Sequence, residues 1–536
     1  MAGPDPLRTV AEASVYRRTC LHREVDDFLA RLAARTDRVH VETFGTSGLG
    51  QALPVAILSA AGRFTPEAAH ASGLPILLVV GNIHAGEVEG KESCLMLARD
   101  LCLGGLAPLL EQATVLLVPD YNPDGNDRID PANRALDLAR LEGQIGPEGG
   151  VGTRYTGAGY NLNRDYTKHD AVESRALAGL LSKWRPHVVV DCHTTDGSLH
   201  GYDLTYDTSR NLASTPRGPA VFARDVLLPS VTQALFQRTG FRTWFYGNFK
   251  DEADPGQGWE SYPPLARYGS HYRGLRGCVD VLLEAYSYID FRARCDVTYA
   301  ILVEILAQVG ARGPEIVALV EGAARDTVAR GRDPKPDDLV GIHYGIPARD
   351  ASGALVYRHP GHRLSDVDVE VWDDASHRER RVPGLSRRTV KTTFYGRYEP
   401  TVLVRRPFAY VIPASRVAVL DRLAGHGIEM HRLARSVTLD VETWRVTGKE
   451  PTASPDVGTA VRTETVLHVE AARERFSAVA GDVVVPMAQR WANLAIYLLE
   501  PHGDDGLARW GFFDDVGPGD PFPVRRIPSP VDLPTA

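Results

Sequence analysis

Four short apolar runs, each stopping at polar residues, constrain this chain more than any other feature. Residues 75–80 lead to His84 and Glu87, 113–118 to the turn-rich PDYNPDGNDR, 187–192 to His193, and 278–283 to Glu284. Runs of this length, rich in Val, Leu and Ile and bounded by turn formers, are the pattern of strands buried on both faces. Helical periodicity lies between them, so the expected fold class is α/β, with the polar strand ends gathered along one edge of the sheet.

The remaining elements follow from local spacing. Val25, Phe28, Leu29 and Leu32 predict an amphipathic helix over 24–35. Strands at 39–44 and 53–58 flank the hairpin-like turn GTSGLGQ, and Cys94, Leu95, Ala98, Leu101 and Cys102 predict a helix ending near 103. Residues 122–161 are glycine-rich and aperiodic, the texture of a functional loop. Asp170 and Glu173 read as a capping box ahead of a helix with the face Val172, Ala176, Leu180, Leu181 and Trp184. Past residue 311 the texture turns β-rich, with helices expected at 314–330, 418–426 and 487–501. The expected domains are therefore 1–311 as the catalytic unit, 312–515 as a mixed β-rich α+β accessory region, and 516–536 as a proline-rich, extended or disordered tail.

Charge narrows the partners. Sixty basic residues face 68 acidic ones for a formal net of −8 with no dense Lys/Arg block, which argues against nucleic acid or an anionic membrane as partner. No signal-like amino terminus and no run approaching a membrane span are present, so the expected localisation is cytoplasmic, with no membrane span. Six cysteines form no CxxC pair, and reduced thiols are expected.

His84 and Glu87, three residues apart, can face one ion from a helical turn or a tight loop, or can equally be an ordinary loop histidine and a helix-start carboxylate. His193 completes a set of two imidazoles and one carboxylate. Three N/O donors suit Zn²⁺ with a fourth position open, the arrangement of catalytic rather than structural zinc. Glu284, at the end of an apolar strand where an unpartnered carboxylate is expensive, is the natural general base. Asp191, two residues before His193 on the same strand face, either orients that histidine or caps a neighbouring loop. Glu89, Glu92 and His200 are read as solvated or structural, and Asp165 and Asp196 carry no assigned role.

The ordered set HxxE (His84, Glu87), NPDG (residues 122–125), LNRD (residues 162–165), DxH (Asp191, His193) and a late strand-end Glu284 resembles the zinc carboxypeptidases, the carboxypeptidase A-like metallopeptidases, over about residues 15–310. The resemblance implies a mixed central sheet flanked by helices and one Zn²⁺ per chain on His84, Glu87 and His193. It also implies Glu284 as general base and acid, with Asn163 and Arg164 gripping a substrate's terminal carboxylate. A guanidinium fork suits that last task because it binds a carboxylate bidentately. RYTGAGYNLNR resembles the bacterial RxNxxGxxLNR, which places the oxyanion-stabilising arginine at Arg154, with Thr156 in place of Asn and with Arg128 and Arg134 as substitutes. The family's loop tyrosine is one of Tyr262, Tyr268 and Tyr272. The implied activity is hydrolysis of the C-terminal peptide bond of a peptide or amide substrate with a free terminal carboxylate. Two alternatives stand beside it: an aspartoacylase-like zinc deacylase of N-acyl amino acids, and a non-catalytic module that binds carboxylates.

Overall fold

The computed structural model describes residues 7–344, 346–349, 355–358, 362–372, 387–452 and 462–535. Its centre is an eight-stranded mixed sheet in the order Val39–Thr46, Ala52–Leu58, Thr114–Val118, Ile76–Val80, Val188–Thr195, Val279–Tyr286, Leu204–Asp207, Thr243–Phe245. The middle four strands run parallel, while the hairpin at one edge and Leu204–Asp207 near the other pair antiparallel. All four apolar runs of the sequence become these middle strands.

Alternation along each strand divides the interior in two. Leu77, Val79, Val188, Val190, Val279, Val281 and Leu283 point to a core shared with the helices His22–Ala33, Glu89–Cys102, Leu228–Thr239 and Phe291–Ala311. Ile76, Leu78, Val80 and Val189 point the other way, to a core shared with the helices Val172–Trp184, Gly269–Leu275 and Ala492–Leu499. With a side-chain period of two, Asp191, His193, Asp280 and Glu284 fall on that second face. The strands therefore carry polar chemistry on one face without breaking the apolar packing of the other.

The later part of the chain builds a six-stranded sheet containing Ala409–Ile412, Val437–Thr452, Glu464–Ala478 and Val483–Pro486. A four-stranded sheet joins His362–Trp372 and Arg387–Arg397 to Trp259–Glu260 and Asn248–Phe249, so it takes strands from both sides of residue 311. The proline-rich end is extended but well held: Arg525–Ile527 is a strand of the six-stranded sheet, with Val524 and Ile527 buried.

Three local expectations need correction. The capping box is absent, because Glu173 accepts a hydrogen bond from the Gly48 amide at 2.8 Å and Asp170 is paired with Arg422 and Arg462, leaving Ala171 at the N-cap. Val172 is exposed, and Leu177 and Ala178 join Leu180, Leu181 and Trp184 on the buried face. The helix expected at 487–501 is only Ala492–Leu499, since the Met487 amide still donates sheet-like to the Phe408 carbonyl. All six cysteines are buried and unbridged. Among the described residues no helix is long and apolar enough to cross a membrane.

Candidate metal centre and cleft

His84 and Glu87 sit on the tight turn between Ile76–Val80 and Glu89–Cys102, closed by a hydrogen bond from the Glu87 amide to the His84 carbonyl. Two glycines make this turn fit. A Cβ on Gly90 would lie 2.4 Å from that of Cys192, so the helix start lies directly against the strand that carries His193. A Cβ on Gly86 would meet the Arg134 side chain at 2.6 Å.

The three side chains converge. His84 Nδ1 lies 3.0 Å from Glu87 Oε1, His193 Nδ1 lies 3.1 Å from Glu87 Oε2, and the two Nδ1 atoms are 3.3 Å apart. All three residues are buried, and their donor atoms fall within 4.8 Å of one another. The far ring nitrogens face acceptors: His84 Nε2 is hydrogen-bonded to Asn161 Oδ1 at 3.2 Å, and His193 Nε2 stands at ion-pair distance, 3.4 Å, from Asp191 Oδ1 without a hydrogen bond. An acceptor behind each ring puts the proton on Nε2 and turns the Nδ1 lone pair inward, the outer arrangement of histidines that bind metals. The donor set and its backing thus fit a divalent ion of the zinc type.

Electrostatics point the same way. Burial and the Arg154 charge push His84 down to about 3, so it is neutral. For His193, burial is outweighed by Asp191, Glu87 and Glu284, which raise it to about 10. Despite burial, the Arg134 charge and the contact with His193 hold Glu87 well below the usual carboxylate range. The carboxylates therefore present a negative pocket that either a proton or a metal cation can fill, and binding a metal releases that proton.

Glu284 pairs in register with His193 on the adjacent parallel strand, so its carboxyl stands one strand away from the ligand set. Burial and nearby Glu87 raise it to about 8. It shares a cleft of about 200 Å³ with Arg154, Asn163, Arg164, Tyr246, Tyr262, Tyr268 and Ser270. The Arg154 guanidinium lies 3.3 Å from Glu87 Oε1. Arg164 stacks on the Tyr268 ring at 4.5 Å, and Asn163 Oδ1 accepts from the Gly269 amide at 3.0 Å. All seven proposed site residues therefore meet in one cleft.

Of the substitute arginines, Arg134 reaches Glu87 at 3.0 Å, whereas Arg128 points to the Gly157 carbonyl outside the cleft. Tyr272 is buried against His426 at 2.9 Å and lies outside the cleft, which leaves Tyr262 and Tyr268 of the three tyrosines. Glu89, Glu92 and His200 are structural and not solvated: Glu89 pairs with Arg294, Glu92 accepts from Thr19 and Cys20, and His200 packs on Tyr286. Asp165 accepts from the Asp170 and Ala171 amides, and Asp196 lines the cleft near Arg134.

Sequence reading missed Arg273, whose guanidinium bridges Asp191 at 2.9 Å and Asp280 beneath the site. It also missed Tyr246 and the backing role of Asn161. Asn161 had a usable signal, standing immediately before the LNRD element. Arg273 had none, because its link to Asp191 spans 82 residues.

A second cluster, His70, His187 and Glu321, also brings donor atoms within 4.8 Å. Here the chemistry does not fit a metal. The Ile76 amide donates to His187 Nδ1, which places the His187 proton on the inward Nε2, and Glu321 is already held by both Arg490 nitrogens.

A family model described as "Zinc carboxypeptidase" matches residues 25–217. Carboxypeptidase 2 of Trichophyton rubrum is 25% identical over 478 residues, 83% of this chain and 75% of that protein, so the likeness extends past residue 311. Carboxypeptidase D of Rattus norvegicus is 35% identical over 129 residues, 23% of this chain and 8% of that one. A metallo-carboxypeptidase of known structure from Burkholderia cenocepacia superposes on 54% of this chain and 69% of its own, with 16% identity and a TM-score of 0.39. Residues 25–217 of this chain are thus similar to the zinc carboxypeptidase family, the stretch that carries His84, Glu87, Asn163, Arg164 and His193.

Proposed function

We propose that this chain is a metallocarboxypeptidase that binds one Zn²⁺ through His84, Glu87 and His193 and removes the last residue of peptides bearing a free terminal carboxylate. The observation that carries this reading is the placement of Glu284 beside His193, with Arg164 and Asn163 in the same cleft. A bound zinc ion supplies a lowered water pKa and polarises the scissile carbonyl. Everything else falls to the chain's own side chains. Glu284 takes the proton of the attacking water and returns it to the leaving amine, a role suited to a carboxyl raised toward neutrality. Arg154, which already leans toward the negative pocket, faces the oxygen on which charge develops. Arg164 and Asn163 bind the terminal carboxylate and fix the register of cleavage.

Glu284→Gln is expected to keep one zinc per chain while hydrolysis of blocked dipeptides falls by about 10²- to 10⁴-fold, the usual yield of general acid–base catalysis. The measurement pairs metal analysis with turnover on blocked dipeptides and on N-acetyl amino acids. Near-normal peptide turnover in the variant overturns the assignment of Glu284. Wild-type turnover on N-acetyl amino acids alone overturns the peptidase reading in favour of a deacylase.

A further inference from the structure

We infer that the C-terminal region forms the fixed back of the substrate cleft, holding the segment 261–269 at both ends so that Tyr268 stays stacked on Arg164. This rests on the carboxypeptidase reading of the cleft.

At the first end, Phe394 and Tyr395 pair in parallel register with Trp259 and Glu260. The Ser261 amide donates to the Tyr395 carbonyl at 3.1 Å, and the Tyr398 hydroxyl donates to the Ser261 carbonyl at 2.6 Å. At the second end stands Arg267, next to Tyr268 in sequence and almost wholly buried. Its Nε donates to Asp505 at 2.9 Å and its Nη1 to Glu464 at 2.8 Å, while its backbone amide also donates to Asp505. Its guanidinium lies over the Trp510 ring at 4.4 Å. The two carboxylates have further donors: Arg509 reaches Glu464 at 2.7 Å, and the Trp510 indole reaches Asp505 at 3.0 Å. Two guanidiniums thus face two carboxylates in a buried cluster, with the Lys168 ammonium 4.0 Å from the same Trp510 ring, where geometry is fixed because any displacement strands a buried charge.

Tyr262 lies between these fastenings and Tyr268 directly follows the second, and both line the cleft. Tyr268 is the face on which Arg164 rests, and the next amide, that of Gly269, donates to Asn163. The path from Asp505 and Glu464 to the carboxylate-binding pair therefore runs through Arg267, Tyr268 and Gly269. Asp505, Glu464 and Arg267 touch no reacting atom, so they are positioning residues.

The test uses the full chain with Asp505→Asn and the milder Trp510→Phe, with Arg267→Lys as the conservative variant. Asp338→Asn is the control, since it breaks a comparably buried pair with Arg406 that has no contact with the segment. Hydrogen exchange of the Tyr262 amide and of amides 265–269 is expected to quicken by about tenfold in Asp505→Asn, a local opening, and by less in Arg267→Lys, which keeps the charge but cannot span both carboxylates. KM for peptides with a free carboxylate is expected to rise about tenfold, with kcat within about threefold, the pattern of lost substrate positioning. Asp338→Asn should lower stability and leave both readouts alone. The inference is overturned if exchange and KM are unchanged in Asp505→Asn and Trp510→Phe, or if Asp338→Asn shifts them equally. A wild-type protein that cleaves no peptide sinks the carboxypeptidase reading instead, and the exchange data still judge the fastening.

Discussion

Asp191 is the residue on which the centre's geometry turns. One carboxylate oxygen stands 3.4 Å from His193 Nε2 and the other accepts from Arg273 at 2.9 Å, so the aspartate fixes the ring and is itself fixed. Despite complete burial it stays ionised, down at about 2, because His193 and Arg273 outweigh desolvation. Asp191→Asn keeps the shape and removes the charge. Zinc affinity is expected to drop by about 10- to 100-fold, the range for partners that orient metal-bound histidines. Competition against a chelator of known affinity reads this directly, and an unchanged affinity shows that Asp191 serves only to neutralise Arg273. Sequence offered both possibilities for Asp191, a partner of His193 or a loop cap. The contact that separates them, Arg273, arrives from a helix 82 residues later and leaves no local trace.

At the scale of elements, the strands were legible and the loops around them were not. A parallel strand buried on both faces must be apolar almost throughout, so 75–80, 113–118, 187–192 and 278–283 stood out, although the last two strands run on to Thr195 and Tyr286 and so contain His193 and Glu284. The short helix Gly269–Leu275, which brings Arg273 to the site, lies in a stretch of mixed polarity whose seven residues are all buried by tertiary packing. The missing capping box has the same origin: Glu173 and Asp170 were claimed by partners far away in sequence. The turn carrying His84 and Glu87 makes a testable demand. Gly90→Ala places a methyl 2.4 Å from the Cys192 Cβ, so either the helix start or the strand must shift. A loss of about 1–3 kcal/mol is expected, the usual cost of overpacking a tight contact. Gly105→Ala, which meets open space, should stay within about 0.5 kcal/mol. Urea denaturation compares the two, and equal midpoints contradict a tight helix–strand contact.

Across the whole molecule, the catalytic sheet and the C-terminal region meet over buried histidines, and these set the response to acid. His426 follows the helix Val417–Gly425 and reaches under the catalytic part, with Nε2 3.2 Å from the Thr167 carbonyl and Nδ1 2.9 Å from the Tyr272 hydroxyl. Donating at one nitrogen and accepting at the other, it is a neutral imidazole. His169 stacks on it at 3.7 Å, and burial with the nearby Arg276 pushes His426 down to about 3. A folded pKa below the unfolded value of about 6.5 means that the stabilisation is fully present above pH 6.5 and is lost as pH falls toward 3. By pH 5 this one group forfeits about 2 kcal/mol. Glu284, Asp504 and Asp280 run the opposite way, since their raised values favour folding as pH falls, so total stability does not isolate the histidine. The difference between the chain and His426→Gln does. That difference is expected to shrink by about 2 kcal/mol between pH 7 and pH 5, because only the parent chain must keep an imidazole neutral at position 426, while His169 stays in both. Urea denaturation of both proteins across this range measures it, and a constant difference shows that the junction accommodates a charged histidine.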